Sequence, residues 1–158
     1  NESAGSPQTI QQQPVRIGYQ EGLSLAEEAL SGEEAETPPA IPLYFAQGKW
    51  VDAEGKAEQW IFGLRNGQVH YFVVVKPDSQ ILQPYPMDLP GKEITRSSVT
   101  DPALLIQKNR QLFTNAGPQE PFLLPEIELS GGFYTVTVAT GSGNTVLLFD
   151  AATGEPVG

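Results

Sequence analysis

An Asn-Gly pair, Asn66-Gly67, stands between two runs of apolar, β-branched and aromatic residues, Trp60-Ile61-Phe62-Gly63-Leu64 and Val69-His70-Tyr71-Phe72-Val73-Val74-Val75. Both residues of such a pair accept positive φ at little cost. That geometry suits the tight turns whose twist matches two antiparallel strands, so the stretch predicts a β-hairpin. The second strand is apolar at nearly every position, which predicts a place inside a sheet with both faces covered.

Turn-formers surround this hairpin. Pro and Gly together supply 30 of 158 residues, well above the average of about 12%, so short strands and many turns are expected, with helix in the minority. A first helix is predicted from Ser24 to Leu30, with Ser24 and Glu27 as a capping box and Gly32 as terminator. Glu33, Glu34, Glu36 and Pro38-Pro39 then read as a solvated acidic loop, because they lack the spacing and turn glycine of a calcium loop. Strands are predicted over 41–45 and 49–52, with a turn at Asp52-Ala53-Glu54-Gly55, and a Pro-rich connector over 83–91.

A second helix starts at Thr100 or Asp101, with Pro102 in the first helical position, and ends at Asn115-Ala116-Gly117-Pro118. Ala103, Leu104, Leu105, Ile106, Leu112 and Phe113 give it an apolar face. Strands follow over 125–129, 133–138 and 145–150, the last two joined across Gly141-Ser142-Gly143-Asn144. Alternation in the middle strand puts Tyr134, Val136 and Val138 on one face and threonines on the other.

The two β blocks overlay at an offset of 74, with Trp60 to Leu64 on Tyr134 to Val138 and Val73-Val74-Val75 on Leu147-Leu148-Phe149. This reads as an internal duplication. The second block ends in Thr145-Val146-Leu147-Leu148-Phe149-Asp150-Ala151-Ala152-Thr153-Gly154-Glu155-Pro156-Val157, which resembles the closing signature of PepSY domains. Lys76-Pro77-Asp78-Ser79-Gln80-Ile81 is a degraded counterpart in the first block. The resemblance implies a helix on a small antiparallel sheet, an extracytoplasmic setting in a secreted protein or envelope lipoprotein, and a role in binding or restraining a peptidase without catalysis. The turn also has a physical account: Asp150 can accept from N–H groups two or three residues on, Thr153 lies within the turn, and Gly154 can take positive φ.

Composition excludes much chemistry. A net charge of −10 argues against nucleic acid and anionic membrane surfaces. With no Cys and one His, thiol nucleophiles, disulfides, thiolate metal sites and multi-histidine sites are ruled out, and no cofactor or metal is expected. No run approaches the roughly 18 apolar residues of a membrane helix, so membrane insertion is not expected. The polar start, Asn1 to Pro14, reads as a tether of the kind that follows a removed secretion signal or a lipid anchor, and a cytosolic tail would read the same. His70 inside the apolar strand reads as a satisfied strand histidine, and an enzyme would need it to meet an acid such as Glu58 in a cleft. The carboxylate pairs Asp52/Glu54 and Glu126/Glu128 read as solvated strand positions.

The expected fold class is therefore α+β: a tether over 1–20 and two tandem PepSY-like units over 21–90 and 91–158, each a helix packed on its own small antiparallel sheet. The expected function is a non-catalytic binding module for a protein or peptide partner, accepting an extended segment at a sheet edge. The alternative is an apolar small-molecule site in a cleft between helix and sheet. Aromatics would supply the pockets, and Tyr44, Trp50, Trp60, Tyr71 and Tyr134 are the candidate contact residues.

Overall fold

The structure, a computed structural model, describes residues 14–31, 41–116, 124–140 and 143–157. Helix α1 (Tyr19–Ser31) precedes strands β1 (Leu43–Lys49), β2 (Gln59–Asn66), β3 (Val69–Lys76) and β4 (Ser79–Tyr85). Helices α2 (Pro102–Lys108) and α3 (Arg110–Ala116) precede β5 (Glu126–Ser130), β6 (Phe133–Thr140) and β7 (Gly143–Asp150). All seven strands form one sheet in the order β4-β3-β2-β1-β5-β6-β7, and each neighbouring pair runs antiparallel.

This corrects the expectation of two tandem helix-on-sheet units. β1 pairs with β5 through Ala46↔Leu129, Gln47↔Glu128 and Gly48↔Ile127, so the two strand blocks are halves of a single sheet. The core is likewise one cluster, running from Leu43 and Trp60 to Tyr134 and Phe149. The reason is edge chemistry: separate sheets would leave β1 and β5 with unpaired backbone groups beside apolar side chains, and pairing them with each other satisfies both edges. β6 and β7 begin 74 residues after β2 and β3, at 133 against 59 and 143 against 69.

The 60–75 hairpin forms, with Trp60↔Val75, Phe62↔Val73 and Leu64↔Tyr71 facing the helices. Its two-residue turn is Gly67-Gln68 and not Asn66-Gly67: Asn66 pairs with Val69 at the end of β2, and of the Asn-Gly pair only Gly67 takes positive φ, at +67°. Period-2 alternation decides the rest. Trp60, Phe62, Leu64, Val73 and Val75 are fully buried on the helix side, as are Tyr134, Val136 and Val138 of β6. β3 is not covered on both sides: Phe72 and Val74, on its other face, are only half-buried.

Helix α1 begins at Tyr19 rather than Ser24. Gly22 N–H already donates to Gly18 O, and Tyr19, Leu23 and Ala26 lie buried along one helical stripe. Ile17 is 5% exposed and its backbone exchanges both hydrogen bonds with Ala57, so residues 15–20, assigned to the tether from sequence, belong to the fold. Residues 1–13 of the tether, the terminator Gly32, the acidic loop at 33–36 with Pro38-Pro39, Gly117-Pro118 and Gly141-Ser142 lie outside the described residues.

The second predicted helix is broken in two at Asn109. Asp101 caps α2 by accepting from Ala103 N–H, with Pro102 at the first position. The buried Asn109 amide donates to Leu105 O at 3.0 Å and to Gly154 O at 2.7 Å, tying the break to the turn after β7. In that turn Asp150 Oδ1 accepts from Ala152 and Thr153 N–H, Thr153 Oγ1 accepts from Glu155 N–H, and Gly154 takes φ +76°.

Candidate functional site

Helices cover one face of the sheet, and alternation places Phe45 of β1, Ile61 of β2, Phe72 and Val74 of β3 and Gln83 and Tyr85 of β4 on the other. These residues, with Pro84 and Pro86, line an open apolar groove of about 520 Å³. Its aromatic floor is edge-to-face, with Phe45–Phe72 centroids at 5.9 Å and Phe72–Tyr85 at 5.1 Å, an arrangement that aromatic pairs favour.

Strand β4 bounds the groove. Among the described residues no strand pairs with its outer edge, its sequence Ser-Gln-Ile-Leu-Gln-Pro-Tyr carries no charge, and Ile81 and Leu82 are 53% and 41% exposed on opposite faces. Sheet edges are usually blunted by charge or Pro, or covered; β4 has one such device, Pro84 near its end, which has no N–H to donate. The opposite edge is covered, because Val157 N–H donates to Leu148 O and Asp150 N–H to Glu155 O.

Beside the Phe45 and Phe72 rings, the connector that leaves β4 packs back onto the same face of the sheet. Gly63 lies between Phe45 and Phe72 in the register. Leu89 is seated over it, with both methyls 3.4 Å from where a Gly63 Cβ would stand. The Leu89 N–H donates to His70 Nδ1 at 3.1 Å, and His70 Nε2 lies 3.4 Å from Asp88 Oδ1. Neighbouring Tyr44 stacks at a tilt 5.7 Å from the His70 ring, and its hydroxyl accepts from Arg65.

The sequence-predicted residues are scattered. Trp60 is 1% exposed, with Nε1 donating to Ile17 O, and Tyr134 is 1% exposed, with its hydroxyl donating to Thr100 O at 2.6 Å. Both are core residues whose polar atoms are already satisfied, and neither offers a contact surface. Burial pushes the Tyr134 hydroxyl well above the usual phenol range, reinforced by Tyr19 and Asp101. Tyr71 packs on the helix face. Tyr44 packs against the His70 ring, outside the groove lining. Trp50 is exposed at φ +56°, a conformation that costs a bulky residue energy, and with Lys49, Glu126, Thr137 and Asn144 it lines a separate, more polar hollow of about 290 Å³. Glu58 pairs with Arg16 at 3.1 Å and not with His70.

Phe45 and Phe72 belong to the aromatic cluster of the first block from which groove residues are expected, but neither they nor Ile61, Val74, Tyr85 and Leu89 are among the candidate contact residues. The available signal was the apolar content of both parities of β3, which reads equally as burial on two sides. Among the described residues no three His, Asp or Glu side chains group together as metal ligands, and no helix is long and apolar enough to cross a membrane. No protein-family model, curated protein or solved structure matches the chain.

Proposed function

We propose that the protein is a non-catalytic binding module that takes an extended segment of a protein partner onto the free edge of β4, with alternate side chains entering the adjoining groove. The observation that carries this reading is the uncharged, unpaired β4 edge beside an apolar aromatic floor. An added strand gains backbone hydrogen bonds, and its every second residue faces the groove. With a net charge of −10 on the module, a neutral or basic segment is favoured over an acidic one. An extracytoplasmic setting, docking to an envelope protein or restraint of a peptidase rest on the PepSY-like ending of the chain. An apolar small molecule is the second reading, favoured by a groove volume in the range of ligand sites.

Panning a displayed library of random peptides against the folded protein tests the choice. Expected is enrichment of extended apolar segments whose binding is lost in Phe72→Ala and retained in Trp50→Ala, with circular dichroism confirming that both variants fold. No enrichment, or binding indifferent to Phe72, removes the peptide reading.

A further inference from the structure

His70 is the chain's sole histidine and is 9% exposed. Its Nδ1 can accept the Leu89 N–H only while that nitrogen is unprotonated, which places the ring proton on Nε2, toward Asp88. Protonation converts Nδ1 into a second donor. Two N–H groups then face each other, and the buried Leu89 amide loses its acceptor. The compensating attraction to Asp88 is weak, because the Asp88 side chain is 97% exposed. The other groups around the ring do not replace the lost bond: Arg65 stands opposite in the β2 register as a like charge, while Tyr44 from β1 and Tyr85 from β4 are neutral. Leu89 sits on Gly63, between the strands bearing Phe45 and Phe72, so its departure would uncover Gly63 and lengthen the apolar floor beside the two rings.

We propose that His70 is a proton-operated latch: protonation releases the Leu89 backbone, the connector lifts Leu89 off Gly63, and the groove lengthens over Gly63 for the partner segment. This rests on the groove being the binding surface. The latch would couple binding to acidification, histidine being the side chain that ordinarily changes charge between about pH 5 and about pH 8.

The test uses two readouts on the whole chain at about pH 8 and about pH 5.5. One is hydrogen exchange at the Leu89 amide by NMR, corrected for the intrinsic pH dependence of exchange. The other is fluorescence of N-phenyl-1-naphthylamine, an uncharged apolar probe that is indifferent to the protein's changing net charge. Expected is about ten-fold or greater loss of Leu89 protection at the lower pH, rising in step with the titrating His70 ring signals and accompanied by a gain in probe binding. His70→Asn, which keeps an acceptor that gains no proton, should abolish both changes. Leu89→Ala should bind the probe at both pH values. Equal protection at both pH values, or the same response in His70→Asn, overturns the latch. If His70→Asn fails to fold, a Leu89 transition that does not track the His70 ring signals overturns it. Probe binding at both pH values with Leu89 still protected overturns the latch but leaves the groove reading standing. Leu89 release with no probe bound, even by Leu89→Ala, upholds the latch and contradicts the groove reading.

Discussion

Gly48 and Trp60 face each other across β1 and β2, and the indole lies so close to the glycine that a Cβ there would stand 2.7 Å from Cζ3 and 2.8 Å from Cη2. Gly22 of α1 closes on the indole from another side, its own Cβ position 3.0 Å from Cδ1. Trp60 is thus held where two glycines leave room, with Nε1 bonded to Ile17 O.

Gly48→Ala should therefore destabilise the protein by about 1–3 kcal/mol, the range for overpacking a filled core. Gly18→Ala, where nothing lies within 4 Å of the added carbon, should stay within about 0.5 kcal/mol of the parent. Urea unfolding midpoints with an unchanged m-value would show the difference. Equal midpoints for the two variants would mean that the indole is free to move.

Alkaline pH should unfold the protein through its buried phenols. Burial pushes the Tyr19 hydroxyl up to about 12, with Arg96 pulling against it and Asp101 and Glu27 adding to it. In the unfolded chain the same group titrates near 10. Above that value the unfolded state binds fewer protons than the folded one, so stability falls with rising pH. The contribution of Tyr19 is intact below about pH 10 and is lost between there and about pH 12, amounting to roughly 2–3 kcal/mol. Thermal unfolding followed from pH 9 upward should show a shallower decline in Tyr19→Phe, whose phenyl ring has no proton to lose.

Asn109→Ala should cost about 1–3 kcal/mol, because it leaves Gly154 O without its 2.7 Å donor inside a buried contact. The effect should be local. Amide exchange should rise in α2, α3 and the 150–155 turn and remain unchanged in the β2–β3 hairpin. Uniform loss of protection would show that this contact belongs to the global unfolding unit and not to a separable corner.

The local signals in the sequence were legible where one residue type has one solution. Gly67 supplies the positive φ of the hairpin turn, Asp101-Pro102 the start of α2, and the alternation of Tyr134, Val136 and Val138 the buried face of β6. What the chain did not disclose were choices made by tertiary partners. Nothing local in Gln47 or Glu128 says that β1 and β5 become neighbours, so the sequence alone reads as two sheets. Aromatic identity alone does not separate Trp60, walled in by glycines, from Phe72, which faces the groove. That distinction depends on which parity of each strand the helices cover. Asn109 lies inside the single helix expected from Asp101 to Asn115, and its bond to the carbonyl of Gly154, 45 residues away, ties it at the break point.

On the proposed function, partners reach the protein through the β4 edge and its groove. Photo-crosslinking from two exposed positions on the same open face tests it most directly: Ile81, on β4, and Val146, on β7, are 53% and 61% exposed. With each position separately replaced by a photo-reactive residue in the cells that make the protein, Ile81 should capture one partner reproducibly through a single extended stretch. Val146 should capture nothing in common with it, and Phe72→Ala should abolish the Ile81 product. A shared set of products from both positions, or an Ile81 product that survives Phe72→Ala, would contradict the account.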